Sequence, residues 1–252
     1  MDTTEDFSPY RSDGKLYGFV CVVTGASQPV GQAIIKELAA HGAASIYACD
    51  AATTPSTYLP LVTSLSTSHP NTNIIPYPFN VTAEDETLTL IDEVLAAFGR
   101  LDVWICAPPP STVPSPTADD LTACLQAHAL APFFALRHAP PAMGKLLTAA
   151  KLNYPNAAPK GQVYGSVVVV AGRGGPAQTV AAHAALGVVR AGTGALRGTG
   201  VRVNCIGMGG VGEGMGMGSP QEIARVAGFL ASGFSSYVNG ANLVVDGGAS
   251  SS

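Results

Sequence analysis

The chain has 252 residues, of which 47% are hydrophobic, with 13 Lys+Arg against 17 Asp+Glu and a formal net charge of -4. This length suits one large α/β domain with a buried core. The acidic balance and the singly scattered basic residues argue against nucleic acid as a partner. No apolar run approaches the ~18 residues that a membrane span requires, so we expect no membrane partner.

The first eleven residues, MDTTEDFSPYR, are polar and acidic. Because they lack the apolar core of a secretory signal, we expect a cytoplasmic protein. Residues 1–14 are expected to be a flexible tail and residues 15–250 a single domain. The five cysteines are odd in number and scattered, which is typical of reduced thiols rather than of a disulfide framework or a zinc site. We therefore expect no metal.

Short apolar or β-branched runs alternate with helical stretches along the chain. The runs predict strands at Tyr17–Val23, Ser45–Cys49, Asn73–Phe79, Leu101–Cys106, Val163–Ala171, Val201–Ile206 and Ala241–Val245. Apolar repeats at three and four predict helices over Val30–His41, Ala83–Phe98, Ala118–Ala149, Ala181–Arg197 and Pro220–Ala231. Strict alternation predicts a Rossmann-type, doubly wound parallel sheet of about seven strands with helices on both faces. Ligands of such sheets bind at the carboxyl ends of the strands.

A glycine-rich turn, TGASQPVG at Thr24 to Gly31, follows the first strand and leads into a helix. The amino terminus of such a helix can bind a pyrophosphate through free N–H groups and the helix dipole. With this turn, four further segments resemble the short-chain dehydrogenase/reductase family, and the likeness covers nearly the whole chain. They are NVT at Asn80 to Thr82, LDVWI before Cys106, GVRVNCIGMGG at Gly200 to Gly210 and SSYVNGANLVVDGG at Ser235 to Gly248.

Members of that family bind NAD or NADP and move a hydride to or from a carbonyl. Asp50 ends the second strand, where a carboxylate would bind an adenosine ribose and repel a 2′-phosphate, so NAD(H) is favoured over NADP(H). The resemblance implies a set of cofactor-binding residues: Gly25, Ser27, Gln28, Val30, Gly31, Asp50, Asn80, Val81, Ala107, Met208 and Gly209.

This chain departs from the family at the cofactor site. Pro29 replaces the middle glycine of the phosphate turn, removing an N–H group and favouring extended geometry at Gln28. Proline nevertheless suits the first turn of a helix. Cys106, Ala107, Pro108 and Pro109 replace the family's Asn-Asn-Ala-Gly turn after the fourth strand. We expect NAD(P)H binding to be weakened rather than excluded, and catalysis without a cofactor stays open.

The family's acid/base residues are also replaced. Thr179 and His183 occupy the positions of the tyrosine and lysine, Gly172 that of the serine, and His128 that of the supporting asparagine. The hydroxyl of Thr179 is too weak an acid by itself, whereas histidine titrates near neutrality. If the alignment holds, His128 and His183 lie at one pocket as acid/base candidates, although a single histidine is more often structural or solvated. Arg173 is a third candidate, able to hold an enolate or carboxylate.

Three functions stay open. The first is an enzyme of specialised-metabolite biosynthesis that isomerises or cyclises a small apolar substrate by proton transfer, without net redox change. The second is an atypical NAD(P)H-dependent reductase of an activated C=C, C=N or carbonyl group. The third is a non-catalytic partner of an active relative. Small residues over Ala181 to Gly194 would permit close helix packing, so we also expect a homodimer or homotetramer.

Overall fold

Seven parallel strands form the centre of the molecule in the order β3-β2-β1-β4-β5-β6-β7. The computed structural model describes residues 14–51, 55–109, 113–146, 160–172, 174–211 and 218–249. The strands are β1 (Val20–Thr24), β2 (Ser45–Asp50), β3 (Asn73–Pro78), β4 (Val103–Cys106), β5 (Gly165–Gly172), β6 (Val201–Met208) and β7 (Asn242–Val245). The predicted Rossmann-type sheet is confirmed. β1 begins later than predicted because Tyr17 and Gly18 lie in a turn.

Helices cover both faces of this sheet, and their bounds differ from the prediction at several points. They are α1 (Pro29–Ala40), α2 (Pro55–Ser68), α3 (Glu84–Phe98), α4 (Ala118–Leu125), α5 (Ala131–Met143), α6 (Pro176–Ala195) and α7 (Pro220–Ala231). One face packs against α1, α2 and α7, and the other against α3, α5 and α6. β1 is buried on both sides, because Cys21 and Val23 face one core and Val20 and Val22 the other.

The sequence pattern missed α2, which is rich in serine and threonine. These residues are weak helix formers because their hydroxyls compete for main-chain hydrogen bonds. In α2 the hydroxyls of Ser66 and Ser68 instead donate back to carbonyls four residues earlier, at 2.7 and 3.0 Å. Buried Tyr58, Leu61 and Leu65 attach the helix to the core, so tertiary packing determines its conformation.

The prediction of one helix over Ala118–Ala149 was wrong. α4 and α5 are separated by a π-helical segment, Gln126–Leu130, in which the N–H of Ala131 donates to the carbonyl of Gln126. Proline at residue 132 lacks the N–H that would continue the regular ladder, which accounts for the wider turn. The helix ends at Met143, and residues 147–149 lie outside the described residues.

A buried ionic cluster joins the amino ends of the central strands. Arg100 donates to both carboxylate oxygens of Asp102, at 2.8 and 2.9 Å, and the main-chain N–H of Val20 donates to Asp102 Oδ2 at 2.9 Å. Lys160 Nζ lies 3.1 Å from Asp102 Oδ1 and donates to three main-chain carbonyls at 2.6 to 2.9 Å. Burial lowers the pKa of Lys160, against the opposing attraction of Asp102. The cluster ties β1, β4 and the approach to β5 together.

Three further features concern membrane spanning, metal binding and the cysteines. Of the described helices, none is long and apolar enough to cross a membrane. The described residues contain no group of three or more His, Cys, Asp or Glu that could hold a metal ion. All five cysteines are free and buried.

Candidate active site

The glycine-rich turn after β1 is closely packed. Gly25 has φ +68°, and a β-carbon there would lie 1.9 Å from the carbonyl oxygen of Ala107. A β-carbon on Gly31 would lie 2.2 Å from the carbonyl oxygen of Gly25. Only glycine fits either position without movement of the backbone. The turn therefore keeps the close approach between β1, β4 and α1 that a phosphate-binding loop requires.

Pro29 begins α1 and leaves the helix intact. Gln28 precedes it in extended geometry, with φ -77° and ψ 153°, as expected for the residue before a proline. The N–H that proline lacks would have had no partner within the helix at this position. Val30 and Gly31 follow in the first turn, where main-chain N–H groups and the helix dipole attract an anion. The turn thus fits the diphosphate of a dinucleotide.

Asp50 links the end of β2 to the phosphate turn. Its Oδ2 accepts hydrogen bonds from the main-chain N–H of Ser27 at 3.2 Å and from the Ser27 hydroxyl, and Oδ1 accepts from the N–H of Ala51 at 2.8 Å. The carboxylate places negative charge beside the turn, which disfavours a phosphate beyond the diphosphate, such as the 2′-phosphate of NADP.

Asn80 and Val81 serve local structure at the start of α3. The side-chain oxygen of Asn80 accepts hydrogen bonds from the main-chain N–H and the hydroxyl of Thr82, at 3.1 and 2.8 Å. The main-chain N–H of Asn80 donates to Glu86 Oε2 at 2.6 Å. Val81 is partly buried against the core. Asn80 is exposed, and both residues follow the carboxyl end of β3.

The segment after β4 is held from two sides. The N–H of Ala107 donates to the carbonyl of Thr24 at 3.2 Å, and Pro109 accepts a hydrogen bond from the ring of His128. Burial raises the pKa of the adjacent Cys106 thiol to about 12, against the opposing effect of the neighbouring Thr24 side chain. A thiol with so high a pKa stays protonated at neutral pH and packs as an apolar side chain.

His128 lies inside the protein, in the π-helical segment between α4 and α5. Its side chain is 2% exposed, and its Nδ1 has no hydrogen-bond partner among the described residues. Burial lowers the pKa of the imidazole, and the bond to Pro109 opposes that shift. His128 is thus a neutral ring that supports the segment containing Pro108 and Pro109.

His183 lies instead on the exposed side of α6, at a cavity of about 160 Å³. Its Nδ1 lies 2.8 Å from the main-chain carbonyl oxygen of Thr179, one helical turn earlier. A carbonyl oxygen only accepts, so Nδ1 carries a proton, and in the neutral ring Nε2 then keeps a lone pair. The Thr179 hydroxyl donates to the carbonyl of Gly175 at 3.2 Å. Thr179 therefore contributes its main-chain oxygen to the orientation of His183.

The cavity lies between α6, the carboxyl ends of β5 and β6, and the edge strand β7. Its walls are largely apolar, with side chains from Ala171, Ala182, Leu186, Met208 and Val244. Three polar side chains also line it: those of His183, Asn242 and Asp246. The predicted residues Met208 and Gly209 belong to the same lining, and His128 does not. The two imidazoles predicted at one pocket are thus in different places, and Arg173 lies outside the described residues.

Gly172, predicted to occupy the position of the family's serine, is closely surrounded by other side chains. A β-carbon on Gly172 would lie 2.7 Å from the Met208 methyl carbon and 2.9 Å from Gln178 Nε2. Three residues separate the end of β5 from the start of α6. The sequence interpretation also missed Asn242, on β7, and Asp246, which directly follows that strand. Asn242 alternates with the partly buried Leu243 and Val245 and could have been found from that alternation.

Comparisons with known proteins agree with this architecture. Residues 19–223 match the family model described as short chain dehydrogenase, and residues 213–250 match the model described as Enoyl-(Acyl carrier protein) reductase. A putative short-chain dehydrogenase/reductase from Burkholderia xenovorans superposes with a TM-score of 0.78 at 22% sequence identity, over 95% of this chain and 99% of that one. At that identity the structural likeness concerns the fold.

Two of the similar curated proteins are plant synthases. Momilactone A synthase of Oryza sativa subsp. japonica is 26% identical, over 94% of this chain and 91% of the relative. (+)-cis,trans-Nepetalactol synthase of Nepeta racemosa is 24% identical, over 93% of this chain and 92% of the relative. The family model covers most of the chain and the glycine-rich turn has the expected geometry. The chain therefore belongs to the short-chain dehydrogenase/reductase family.

Proposed function

We propose that this protein isomerises or cyclises a small, largely apolar molecule by proton transfer, with His183 as the general base and no net redox change. The observation that carries the proposal is the bond between His183 Nδ1 and the Thr179 carbonyl. It fixes one neutral tautomer and leaves Nε2 able to accept a proton.

The surroundings of His183 suit this chemistry. The largely apolar walls of the cavity suit an apolar substrate, and a carbon next to a carbonyl can give up its proton to a nearby imidazole. Once Nε2 is protonated, the Thr179 carbonyl stabilises the cation through the Nδ1–H bond. The same imidazolium returns the proton to a different atom, which completes an isomerisation or drives ring closure. Each step balances without an oxidant or reductant.

The replaced residues favour this function over the family's usual reaction. Thr179 is an aliphatic alcohol and a poor proton donor. At residue 172 the chain has glycine in place of the serine. The atoms nearest to the place of its β-carbon are the Met208 methyl and the Gln178 amide nitrogen, and neither side chain carries a hydroxyl. The relative whose name denotes nepetalactol formation supports a ring-forming reaction for this chain, because the two share the fold and much of their length.

An NAD(H)-dependent reduction is the second candidate, and the intact phosphate turn favours it. Gly25, Gly31 and the first turn of α1 would hold the diphosphate, and the charge of Asp50 selects against an additional phosphate. A reduced nicotinamide, when bound, would supply a hydride. In this case His183 would donate the accompanying proton.

A deuterium-exchange assay tests the first candidate. The purified protein is incubated with cyclohexanone in D₂O, and loss of the α-proton signals is followed by NMR. We expect exchange above the buffer rate, reduced about 10²-fold or more by His183→Gln, the effect usual for removing a general base. His69→Gln, at the far end of α2, serves as the matched control and should retain the exchange rate. Equal rates for wild type and His183→Gln, or wild-type exchange no faster than buffer, would count against His183 as the base.

Titration with NADH and NADPH separates the two candidates. Nicotinamide fluorescence measures binding, and the decay of its absorbance in the presence of cyclohexanone or cyclohexenone measures hydride transfer. Exchange without cofactor consumption supports proton transfer alone. Consumption that depends on the ketone supports the reductase.

A further inference from the structure

The edge strand β7 presents two different faces. Leu243 and Val245 pack against the buried core on one side of the sheet. Asn242 and Val244 alternate with them, so they point to the opposite side. Asp246 directly follows the strand, and all three residues line the cavity that contains His183. A carboxamide and a carboxylate thus flank a valine on the wall opposite α6.

Local packing fixes where these two polar groups lie. A β-carbon on Gly209 would lie 2.5 Å from the Asp246 β-carbon, and the N–H of Gly248 donates to Asp246 Oδ1 at 2.9 Å. The Asn242 carboxamide lies over the backbone of β6, with its oxygen 3.0 Å from the place of a β-carbon on Gly207. Gly207 in β6 and Gly209 directly after it therefore give the two side chains room at the cavity.

Hydrogen-bond acceptors predominate among the polar side chains of this lining. His183 Nε2 accepts in the tautomer set by Thr179, a carboxylate accepts only, and a carboxamide both accepts and donates. Such a set matches a ligand group that carries a proton to donate, as a hydroxyl does. A ligand carboxylate would bring an acceptor and a second negative charge toward Asp246, which is unfavourable.

The size of the cavity limits what enters it. At about 160 Å³ it is similar to an apolar cavity of about 150 Å³ that takes one benzene ring. A neighbouring cavity of about 210 Å³, lined by Ser219 and Glu222 at the start of α7, also reaches Asp246. One six-membered ring fits the first cavity, and the rest of a larger substrate can extend past Asp246.

We propose that Asn242 and Asp246 form a specificity site that binds a hydroxyl on an apolar six-membered ring of the substrate and selects against carboxylates. The inference rests on the proposed function in assigning this cavity to the substrate. It makes β7 the recognition wall and α6 the catalytic wall of one site.

The test uses two probes that differ in their polar group, cyclohexanol and cyclohexanecarboxylate, titrated into ¹⁵N-labelled protein and followed by NMR. We expect cyclohexanol to shift the Asn242 side-chain amide signals, with a Kd on the order of millimolar for so small a ligand. Cyclohexanecarboxylate should bind at least about tenfold more weakly. Equal or tighter binding of the carboxylate, or cyclohexanol shifts confined to other regions, would overturn the proposal.

Two variants sharpen the result. Asn242→Leu keeps the size of the side chain and removes its hydrogen bonds, so cyclohexanol should bind about fivefold or more weakly. Asp246→Asn should narrow the gap between the two probes, because the repelling charge is gone. Asn73→Leu, on the opposite edge strand, is the matched control and should bind cyclohexanol as wild type does. Unchanged cyclohexanol binding by Asn242→Leu contradicts the specificity site.

These measurements fail separately from those of the proposed function. Probe binding requires no turnover, so it can be measured in His183→Gln after that variant has lost exchange activity. Exchange that depends on His183, together with probe binding that ignores Asn242, would retain the reaction and refute the specificity site. Selective hydroxyl binding without exchange would refute the reaction and retain the site.

Discussion

The terminal methyl carbon of Met208 lies 2.7 Å from the place that a β-carbon on Gly172 would occupy. Met208 ends β6 and Gly172 ends the neighbouring β5, where the two residues are partners in the register. The methionine therefore packs over the glycine and occupies the space in which a side chain at residue 172 would begin. The resemblance to the family predicts this residue as the position of the serine.

A serine at residue 172 should consequently require Met208 and Gln178 to move. Both contacts are made by the ends of flexible side chains, so we expect Gly172→Ser to lower the free energy of unfolding by only about 1 kcal/mol, the low end of the cost of overpacking, and to yield no gain in ketone reduction. Urea denaturation measures the first effect. Met208→Ala alone leaves a cavity and destabilises by about 2–5 kcal/mol. The double variant should be less destabilised than the sum of the two single variants; additive effects would contradict the contact.

Stability should fall at acid pH because of His128. Burial lowers the pKa of this imidazole from its usual value of 6.5, so below that pH the unfolded chain takes up a proton that folded His128 does not. The contribution is fully present above the unfolded pKa and is lost as the pH falls, by at most about 1.4 kcal/mol per pH unit for one proton. His128→Gln should flatten urea-unfolding stability between pH 7 and pH 5. Slopes identical to those of wild type, with His69→Gln as the control, would contradict this assignment.

Asp102 should be among the residues most important for stability. Asp102→Asn removes the charge that faces buried Arg100 and Lys160, leaving two cations inside the protein. Breaking a buried ion pair in this way typically costs 3–5 kcal/mol, measurable by urea denaturation. Asp92→Asn, on the exposed side of α3, is the matched control and should stay within about 0.5 kcal/mol of wild type. A change under about 1 kcal/mol in Asp102→Asn would show that the cluster is dispensable.

Copies of this chain should associate through α5 and α6. We propose this because a largely apolar cavity of about 530 Å³ opens between the two helices, beside Leu136 and Val188, and Phe133 is 46% exposed at its rim. Phe133→Glu would place an unpaired charge in that contact and should lower the mass measured by light scattering. Leu59→Glu, on the exposed side of α2, is the control and should leave the mass unchanged. A monomeric wild type, or an unchanged mass for Phe133→Glu, would contradict this interface.

The sequence by itself determined the sheet and most of its helices, because periodicity and turn glycines act locally. All seven strands follow from runs of apolar residues between turns, and the phosphate turn follows from Gly25 and Gly31, which tolerate no β-carbon. The break between α4 and α5 could also have been predicted from the sequence, since Pro132 removes one N–H group from the helix. α2 could not be predicted in this way, because its serine and threonine residues favour helix only once Tyr58 and Leu65 are buried.

Only the tertiary structure decided which candidate residues meet. From the sequence, His128 and His183 are both predicted to replace site residues of the family. In the structure His128 is buried beside the segment with Pro108 and Pro109, whereas His183 lines a cavity. Asp246 reaches that cavity from the last strand, although nothing near His183 in sequence indicates it. The physical reason is that a parallel sheet brings the carboxyl ends of distant strands to one edge, while packing against neighbouring elements decides which side chains face solvent, core or cavity.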